Sequence, residues 1–316
     1  MGSARHVIFG GGQVGSALAS ILLARGFEVL VAKRSPTGIP DGAEAVLGDA
    51  SDPEFCRAAA TEAAVVYHCM NPPYSTQAWA ELIPRYMANM IDAAARAGTR
   101  LVVLDNLYML GKPDGKPLTA STPMNPCSRK GEIRAKAATT LFEAHKRGDL
   151  LATCGRASDF YGPGGRLTQV GDHFWPRVLK GRGGQVAADP DAIHTYHYIP
   201  DVAAGLAALG TGSDAAFGRP WMLPCGPAES LRDLVRRFEK PLGAAIALSL
   251  APGWMLSLMS LVAPPLRELA EMQYQWAEPF VVDDGLFREH FGVMPEHADK
   301  AAADTVAWAR RHYAGS

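Results

Sequence analysis

Three glycines near the start of the chain have a spacing that can bind phosphate. Gly10, Gly12 and Gly15 match GxGxxG, between an apolar segment that begins at His6 and a helical pattern that begins at Gln13. The match is informative only between a strand and a helix, and it lies there. Gly10 permits a tight turn, Gly12 lets the backbone approach a diphosphate, and Gly15 lets helix and strand pack closely.

The start of the first helix completes this pattern. Backbone N–H groups at Gln13 and Val14 have no earlier carbonyl within the helix to bind, so an anion can accept from them. We therefore predict a dinucleotide-binding turn formed by Gly10, Gly12, Gln13, Val14 and Gly15.

The end of the second predicted strand indicates which dinucleotide is bound. A fold that prefers NAD usually carries an acidic residue there to bind the ribose. This chain has Lys33 and Arg34 instead, and a cation pair suits a 2′-phosphate. We predict NADP(H), with a solvated loop as the alternative. Asp49 and Ala50 are expected on the adenine side, and Asn71, Arg134 and Tyr161 complete the predicted cofactor contacts.

The elements that position this turn alternate along the first half of the chain. Apolar strand patterns alternate with helical ones, including long helices at Ala78–Ala97 and Ser128–Arg147. Such alternation predicts an α/β fold, a Rossmann-type doubly wound parallel sheet. A smaller, mainly helical C-terminal region is expected to bind the substrate. We assign 1–165 and the returning 186–218 to the Rossmann domain, and 166–185 and 219–316 to the substrate region.

Composition limits the possible partners. The net charge is -1 for 316 residues, so nucleic acid is not expected. The five cysteines form no CxxC pair, which favours a reducing cytoplasm and gives no zinc site. His194 and His197 lack a third ligand, so no metal is predicted. The apolar run Leu242–Leu266 contains prolines and is interpreted as a buried or substrate-facing helix, not a membrane span.

Four later segments give the chain a family resemblance. They are Leu47-Gly48-Asp49, Leu104–Gly111, the Arg156–Gly164 stretch ending in Tyr-Gly-Pro-Gly, and Tyr198–Ala203. Together they resemble the extended short-chain dehydrogenase/reductases, the NAD(P)-dependent epimerase/dehydratase-like family, over nearly the whole chain. The resemblance implies a Rossmann fold, a nicotinamide cofactor and a homodimer formed through Ala78–Ala97 and Ser128–Arg147.

The chain departs from that family at its catalytic positions. Phe9 replaces the first glycine of the usual GxxGxxG, and Asn106 stands where the family has serine or threonine. The family's Tyr-x-x-x-Lys pair, in which tyrosine gives the proton and lysine holds the nicotinamide ribose, maps onto Lys130 and Arg134. The chain therefore resembles the atypical members of the family.

Several residues remain candidates for the proton donor. Arg134 cannot act as an acid near neutrality, whereas Lys130 can if its surroundings lower its pKa. Tyr108 follows Asn106 by two residues, so a continuing strand would place both on one side. We take Asn106, Tyr108, Lys130 and Arg134 as the predicted catalytic set, with surface charges or a pocket wall as the alternatives. Asp201 is interpreted as a helix N-cap.

The second half suggests the substrate. Its aromatic residues and methionines predict an apolar pocket wall made of Phe174, Trp175, Trp254, Met255, Met259, Met272, Tyr274 and Trp276. We predict an NADP(H)-dependent reductase of a carbonyl or activated double bond in a small apolar molecule. The alternatives are an NADP-dependent epimerase, isomerase or dehydratase, and a non-catalytic NADP sensor.

Overall fold

The computed structural model describes residues 4–186, 189–250 and 271–314. Seven strands form one sheet: β1 (Arg5–Phe9), β2 (Glu28–Lys33), β3 (Glu44–Leu47), β4 (Val65–His68), β5 (Arg100–Asp105), β6 (Leu151–Arg156) and β11 (Pro220–Met222). Their order in the sheet is β11-β6-β5-β4-β1-β2-β3, and every neighbouring pair is parallel. The predicted Rossmann-type doubly wound sheet is confirmed.

Six shorter strands and nine α-helices are found among the described residues. The strands are β7 (Phe160–Tyr161), β8 (Gly184–Val186), β9 (Ile193–His194), β10 (His197–Tyr198), β12 (Glu229–Ser230) and β13 (Leu248–Leu250). The helices are α1 (Gln13–Ala24), α2 (Pro53–Ala60), α3 (Thr76–Ala97), α4 (Arg129–Lys146), α5 (Trp175–Val178), α6 (Ile199–Thr211), α7 (Leu231–Leu242), α8 (Gly285–Phe291) and α9 (Ala298–His312).

Helices cover both faces of the sheet because its strands are apolar on both sides. Leu18 of α1 and Leu206 of α6 belong to the core on one face. Met90 of α3 and Leu141 of α4 belong to the core on the other. In open α/β sheets covered in this way, ligands bind outside the carboxyl ends of the strands.

The strand order reverses between β1 and β4, which are neighbours in the sheet although two strands separate them in sequence. The segments that follow them leave in opposite directions and open a crevice at their carboxyl ends. The glycine turn follows β1, Asn71 follows β4, and Asn106 follows β5. The fold therefore brings these three predicted site segments to one edge.

The C-terminal region has its own core, in which Trp175 and Phe238 pack at 5.2 Å between ring centroids. The last strand of the main sheet along the chain, β11, lies after residue 218 and pairs with β6. None of the helices in the described ranges has the length and apolar character needed to cross a membrane.

Three local predictions need correction. The helix predicted over Leu242–Leu266 does not form where the structure describes it: α7 ends at Leu242, Gly243 adopts a left-handed conformation, and Leu248–Leu250 pairs with β8. Residues 251–266 lie outside the described ranges. Asp201 is not an N-cap but the third residue of α6, where its carboxylate accepts from the backbone N–H of Glu296.

The third correction concerns Tyr108, which is not on a continuing strand. The strand β5 ends at Asp105, and Tyr108–Leu110 forms a 3₁₀ turn. The Asn106 side-chain oxygen accepts from the Tyr108 N–H at 3.1 Å, which turns the chain away from the sheet.

The contact between α6 and the sheet gives a stability prediction. A Cβ added at Gly210 would lie 2.0 Å from the hydroxyl of the fully buried Tyr67. We expect Gly210→Ala to lower the free energy of unfolding by about 1–3 kcal/mol in urea titrations, through overpacking. Gly226→Ala is the control, because its Cβ would meet open space. Equal stability of the two variants would refute this packing.

Candidate active site

The glycine turn has the shape that a diphosphate requires. A Cβ at Gly15 would lie 1.8 Å from the Gly10 carbonyl oxygen, and one at Gly10 would lie 2.9 Å from the backbone of Cys69. Gly10 also has a φ of 103°. By contrast, a Cβ at Gly12 would meet nothing within 4 Å. Two glycines thus shape the turn, while the third leaves open space beside it.

The first helix begins in that space without a capping side chain. Gly12 is its N-cap and provides no side-chain hydrogen bond to the N–H groups of the first turn, which includes Gln13 and Val14. A Cβ built on Gly164 would be in ordinary van der Waals contact with Gln13, 3.8 Å from its carbonyl oxygen, so the loop that contains Gly164 lies beside the start of the helix. The residues present therefore fit a bound diphosphate.

Lys33 and Arg34 have different surroundings. The Lys33 ammonium donates to the Gly11 carbonyl at 3.1 Å and to the Thr37 carbonyl, and burial lowers the pKa of its amine. Arg34 is exposed. Its charge helps to hold the pKa of Asp49 below its usual range, after the larger effect of the Ser51 backbone N–H. Lys33 therefore links the glycine turn to the loop after β2, whereas Arg34 is the exposed cation of the pair.

Arg134 is almost fully buried at the carboxyl edge of the sheet. Its Nη1 lies 3.3 Å from an oxygen of Asp105, and its Nη2 donates to the Asn71 side-chain oxygen at 2.7 Å. The guanidinium carbon lies 4.8 Å from the centroid of the Trp79 ring. Arg134 is therefore not a surface charge. It links Asn71, after β4, to Asp105 of β5 and Trp79 of α3.

Lys130 is also buried, with an exposed fraction of 0%. Its Nζ lies 3.6 Å from a carboxylate oxygen of Glu271 and 4.7 Å from the centroid of the Tyr74 ring. The helical spacing predicted for Lys130 and Arg134 is present, but their partners differ. Lys130 faces the Tyr74 side of the crevice and Arg134 faces the strand ends.

Tyr108 stacks on Trp79, with ring centroids 5.8 Å apart and an interplanar angle of 13°. Its hydroxyl hydrogen-bonds to Tyr74, which is 39% exposed. Burial, followed by the effects of Tyr74 and Asp159, holds the pKa of Tyr108 well above its ordinary value. Its phenol therefore remains protonated at physiological pH, and Tyr74 connects it towards solvent.

Two other residues predicted to contact the cofactor, Tyr161 and Ala50, are buried. Tyr161 is buried in the C-terminal core, where its ring packs against Tyr198 and Phe238. Ala50 is buried, and its carbonyl accepts from Asn89 at 2.8 Å. Their cofactor roles stay predictions.

The predicted aromatic wall is only partly at the crevice. Phe174 and Trp175 are fully buried and contact each other at 5.2 Å, so they belong to the core. Met272 is fully buried as well. Tyr274 and Trp276 are partly buried. Trp254, Met255 and Met259 lie outside the described residues.

The two histidines considered for metal binding have distinct contacts. His197 accepts the Ser158 N–H at Nδ1 and donates from Nε2 to the Leu223 carbonyl, and burial lowers its pKa to about 3. His194 instead lies 3.0 Å from a carboxylate oxygen of Asp159. No group of three metal-ligating side chains occurs within the ranges that the structure covers.

Sequence reasoning missed the groups that surround the predicted residues. Asp105 directly precedes Asn106 at a strand end, a position that could have marked it. Trp79 lies in the first turn of α3 with no sequence signal for its contact with Arg134. The Asp159–His194 pair joins residues 35 positions apart, which no local pattern indicates.

Comparison with known proteins places this geometry in a family. The family model described as "NAD dependent epimerase/dehydratase family" matches residues 6–218. A UDP-glucose 4-epimerase of Corynebacterium glutamicum is 23% identical over 327 residues, covering 95% of this chain and 93% of that protein. A 3-diazoavenalumate denitrifying reductase of a Streptomyces species is 25% identical over 262 residues, covering 78% and 86%.

Solved structures have the same fold. The UDP-glucuronic acid 4-epimerase of Bacillus cereus, solved in complex with NAD, superposes with a TM-score of 0.78 at 14% identity, covering 98% of this chain and 99% of that one. The crystal structure of gox2253 superposes with a TM-score of 0.77 at 22% identity, with 98% of each chain covered. With the family model spanning most of the chain, this protein belongs to the NAD-dependent epimerase/dehydratase family.

Proposed function

We propose that the protein is an NADP(H)-dependent reductase of a carbonyl or activated double bond in a small, mainly apolar molecule. The glycine turn and the uncapped start of α1 would hold the diphosphate, and exposed Arg34 would bind the 2′-phosphate. When bound, NADPH supplies a hydride. The cysteines are all unpaired, which supports a place in the reducing cytoplasm.

The observation that carries the proposal is the place of the Tyr108 phenol, which follows Asn106 at the carboxyl edge of the sheet, where burial holds its pKa above the ordinary value. A reduction adds a hydride to carbon and a proton to oxygen, and a phenol with a raised pKa retains the proton to give. Asn106 lies two residues away and can orient the substrate oxygen. Tyr74 hydrogen-bonds to Tyr108 and can return a proton from solvent.

A protonated Tyr108 phenol also disfavours a reaction that begins with oxidation of the substrate. An epimerase that works through transient redox needs a base to remove a hydroxyl proton. A phenol with a pKa of about 10 or more is ionised in fewer than about one molecule in a thousand at pH 7. Similarity to a UDP-glucose 4-epimerase over 95% of the chain keeps epimerisation as the second candidate.

The homodimer also remains a proposal. The helices α3 and α4 pack on each other. Ala80, Pro84 and Ala88 are exposed at four-residue spacing on α3, so a second copy can approach closely there. The division into a Rossmann domain and a substrate region stays a proposal as well.

The diphosphate site can be tested at Gly12. We expect Gly12→Ala to raise the dissociation constants of NADPH and NADH at least tenfold, because a methyl group would occupy the open space beside the turn. Calorimetric titration measures the affinities. The thermal unfolding midpoint should not change, because the added Cβ meets no protein atom. Unchanged affinity would place the diphosphate elsewhere.

Cofactor preference can be tested at Arg34. We expect Arg34→Ala to weaken NADPH binding about tenfold or more while leaving NADH binding unchanged, since only NADPH carries the 2′-phosphate. Arg25→Ala, which removes an exposed arginine from the end of α1, is the matched control. Equal losses for both cofactors, or tighter binding of NADH by the native protein, would contradict the assignment.

The proton donor can be tested at Tyr108. We expect Tyr108→Phe to lower kcat for NADPH oxidation with a reducible carbonyl substrate by roughly 10²–10⁴-fold, without weakening NADPH binding. The native kcat should stay level to about pH 10, because the phenol keeps its proton. Full turnover by Tyr108→Phe together with a large loss in Lys130→Met would assign the proton to Lys130 instead.

A further inference from the structure

A carboxylate is held at the crevice beside Tyr108 by a buried histidine. Asp159 follows β6, whose last residue pairs with Asp105 at the edge that carries Asn106 and Tyr108. Its side chain is 28% exposed, and its charge acts on the Tyr108 hydroxyl. The carboxylate is therefore partly exposed at the sheet edge that also carries the phenol.

His194 fixes this carboxylate from behind. Its side chain is fully buried and stacks on Phe280 at 5.2 Å between centroids. Its Nδ1 lies 3.3 Å from the Gln275 carbonyl, which can only accept, so Nδ1 carries a proton. Its Nε2 lies 3.0 Å from Asp159 Oδ2, the carboxylate oxygen that the Gln169 side chain also approaches. The buried imidazole ring therefore limits where the Asp159 carboxylate can lie.

Polar atoms near Asp159 lack partners within the described chain. Gln169 donates weakly to Asp159 at 3.5 Å, but its own side-chain oxygen accepts nothing. The Tyr196 hydroxyl is 95% buried, unpartnered and close enough to Asp159 for that charge to raise the pKa of its phenol, after the larger effect of burial. Buried polar groups are rarely left unpaired, so these atoms indicate a ligand.

The chemistry of that ligand follows from these atoms. Asp159 and the Gln169 oxygen can only accept hydrogen bonds, and the Tyr196 hydroxyl can also accept. A matching group must donate, as a hydroxyl or an amine does, while a carboxylate or phosphate would be repelled. Beside it, the exposed ring of Tyr74 and the partly buried ring of Tyr108 suit a planar substrate.

We propose that Asp159, positioned by His194, binds a hydroxyl or amino group at one end of a planar conjugated substrate whose reactive carbonyl lies near Tyr108. The inference rests on the proposed reductase function and adds a substrate class to it. Asp159 determines specificity by contact with substrate, and His194 is a positioning residue.

Matched aldehydes provide the test. The NADP⁺-loaded protein is titrated with 4-hydroxybenzaldehyde and 4-methoxybenzaldehyde, with binding followed by tryptophan fluorescence, and NADPH turnover is measured separately. We expect the hydroxyl compound to bind at least tenfold more tightly to the native protein. In Asp159→Ala the ratio should fall to about one, with NADPH affinity unchanged.

His194→Phe tests the positioning role, because it retains a ring against Phe280 but loses the contact with Asp159. It should raise KM for the hydroxyl compound more than for the methoxy compound and leave kcat similar. Tyr196→Phe should reduce the binding ratio without abolishing it. If His194 had only a structural role, His194→Phe would change KM for both compounds equally.

The outcomes separate the two proposals. A hydroxyl preference that persists in Asp159→Ala, or no preference or binding in the native protein, overturns the recognition proposal. Asp159-dependent binding without turnover of either aldehyde would support recognition and count against the reductase function. Turnover without a hydroxyl preference would support the reductase and reject Asp159 as its specificity residue.

Discussion

The site depends on one buried guanidinium. Arg134 joins Asp105 at the end of β5 to Asn71 after β4, and Trp79 of α3 covers it. A buried arginine needs an opposite charge close by, and Asp105 provides it. Burial raises the pKa of Asp105, and the charges of Arg134 and Arg156 oppose this effect. The strand ends and α3 are thus held together on the side where the substrate would bind.

This arrangement changes what the neighbouring phenol can do. In the family pattern a cation beside tyrosine favours ionisation, whereas here the guanidinium is bound to Asp105 and Asn71. Tyr108 shares the Trp79 ring with Arg134, yet its pKa is raised first by burial and then by other phenols and a carboxylate. Such surroundings favour the neutral acid, and a neutral acid suits reduction.

The sequence predicts what depends on local pattern. Alternating apolar segments give the sheet, and the glycine spacing gives the turn, because backbone geometry alone demands Gly10 and Gly15. The 3₁₀ turn at Tyr108 depends on an Asn106 side-chain bond that a strand pattern does not reveal. The pairing of Asp159 with His194 and the burial of Lys130 come from tertiary packing, which spacing along the chain does not encode.

The account is tested most directly by a crystal structure of the complex with NADP⁺. We predict that Arg34 contacts the 2′-phosphate, that the diphosphate lies at the start of α1, and that nicotinamide C4 faces a space bordered by the Tyr108 hydroxyl. A substrate carbonyl should fit there within about 3–3.5 Å of both. A nicotinamide ring directed away from Tyr108, or a diphosphate bound away from the glycine turn, would contradict the account.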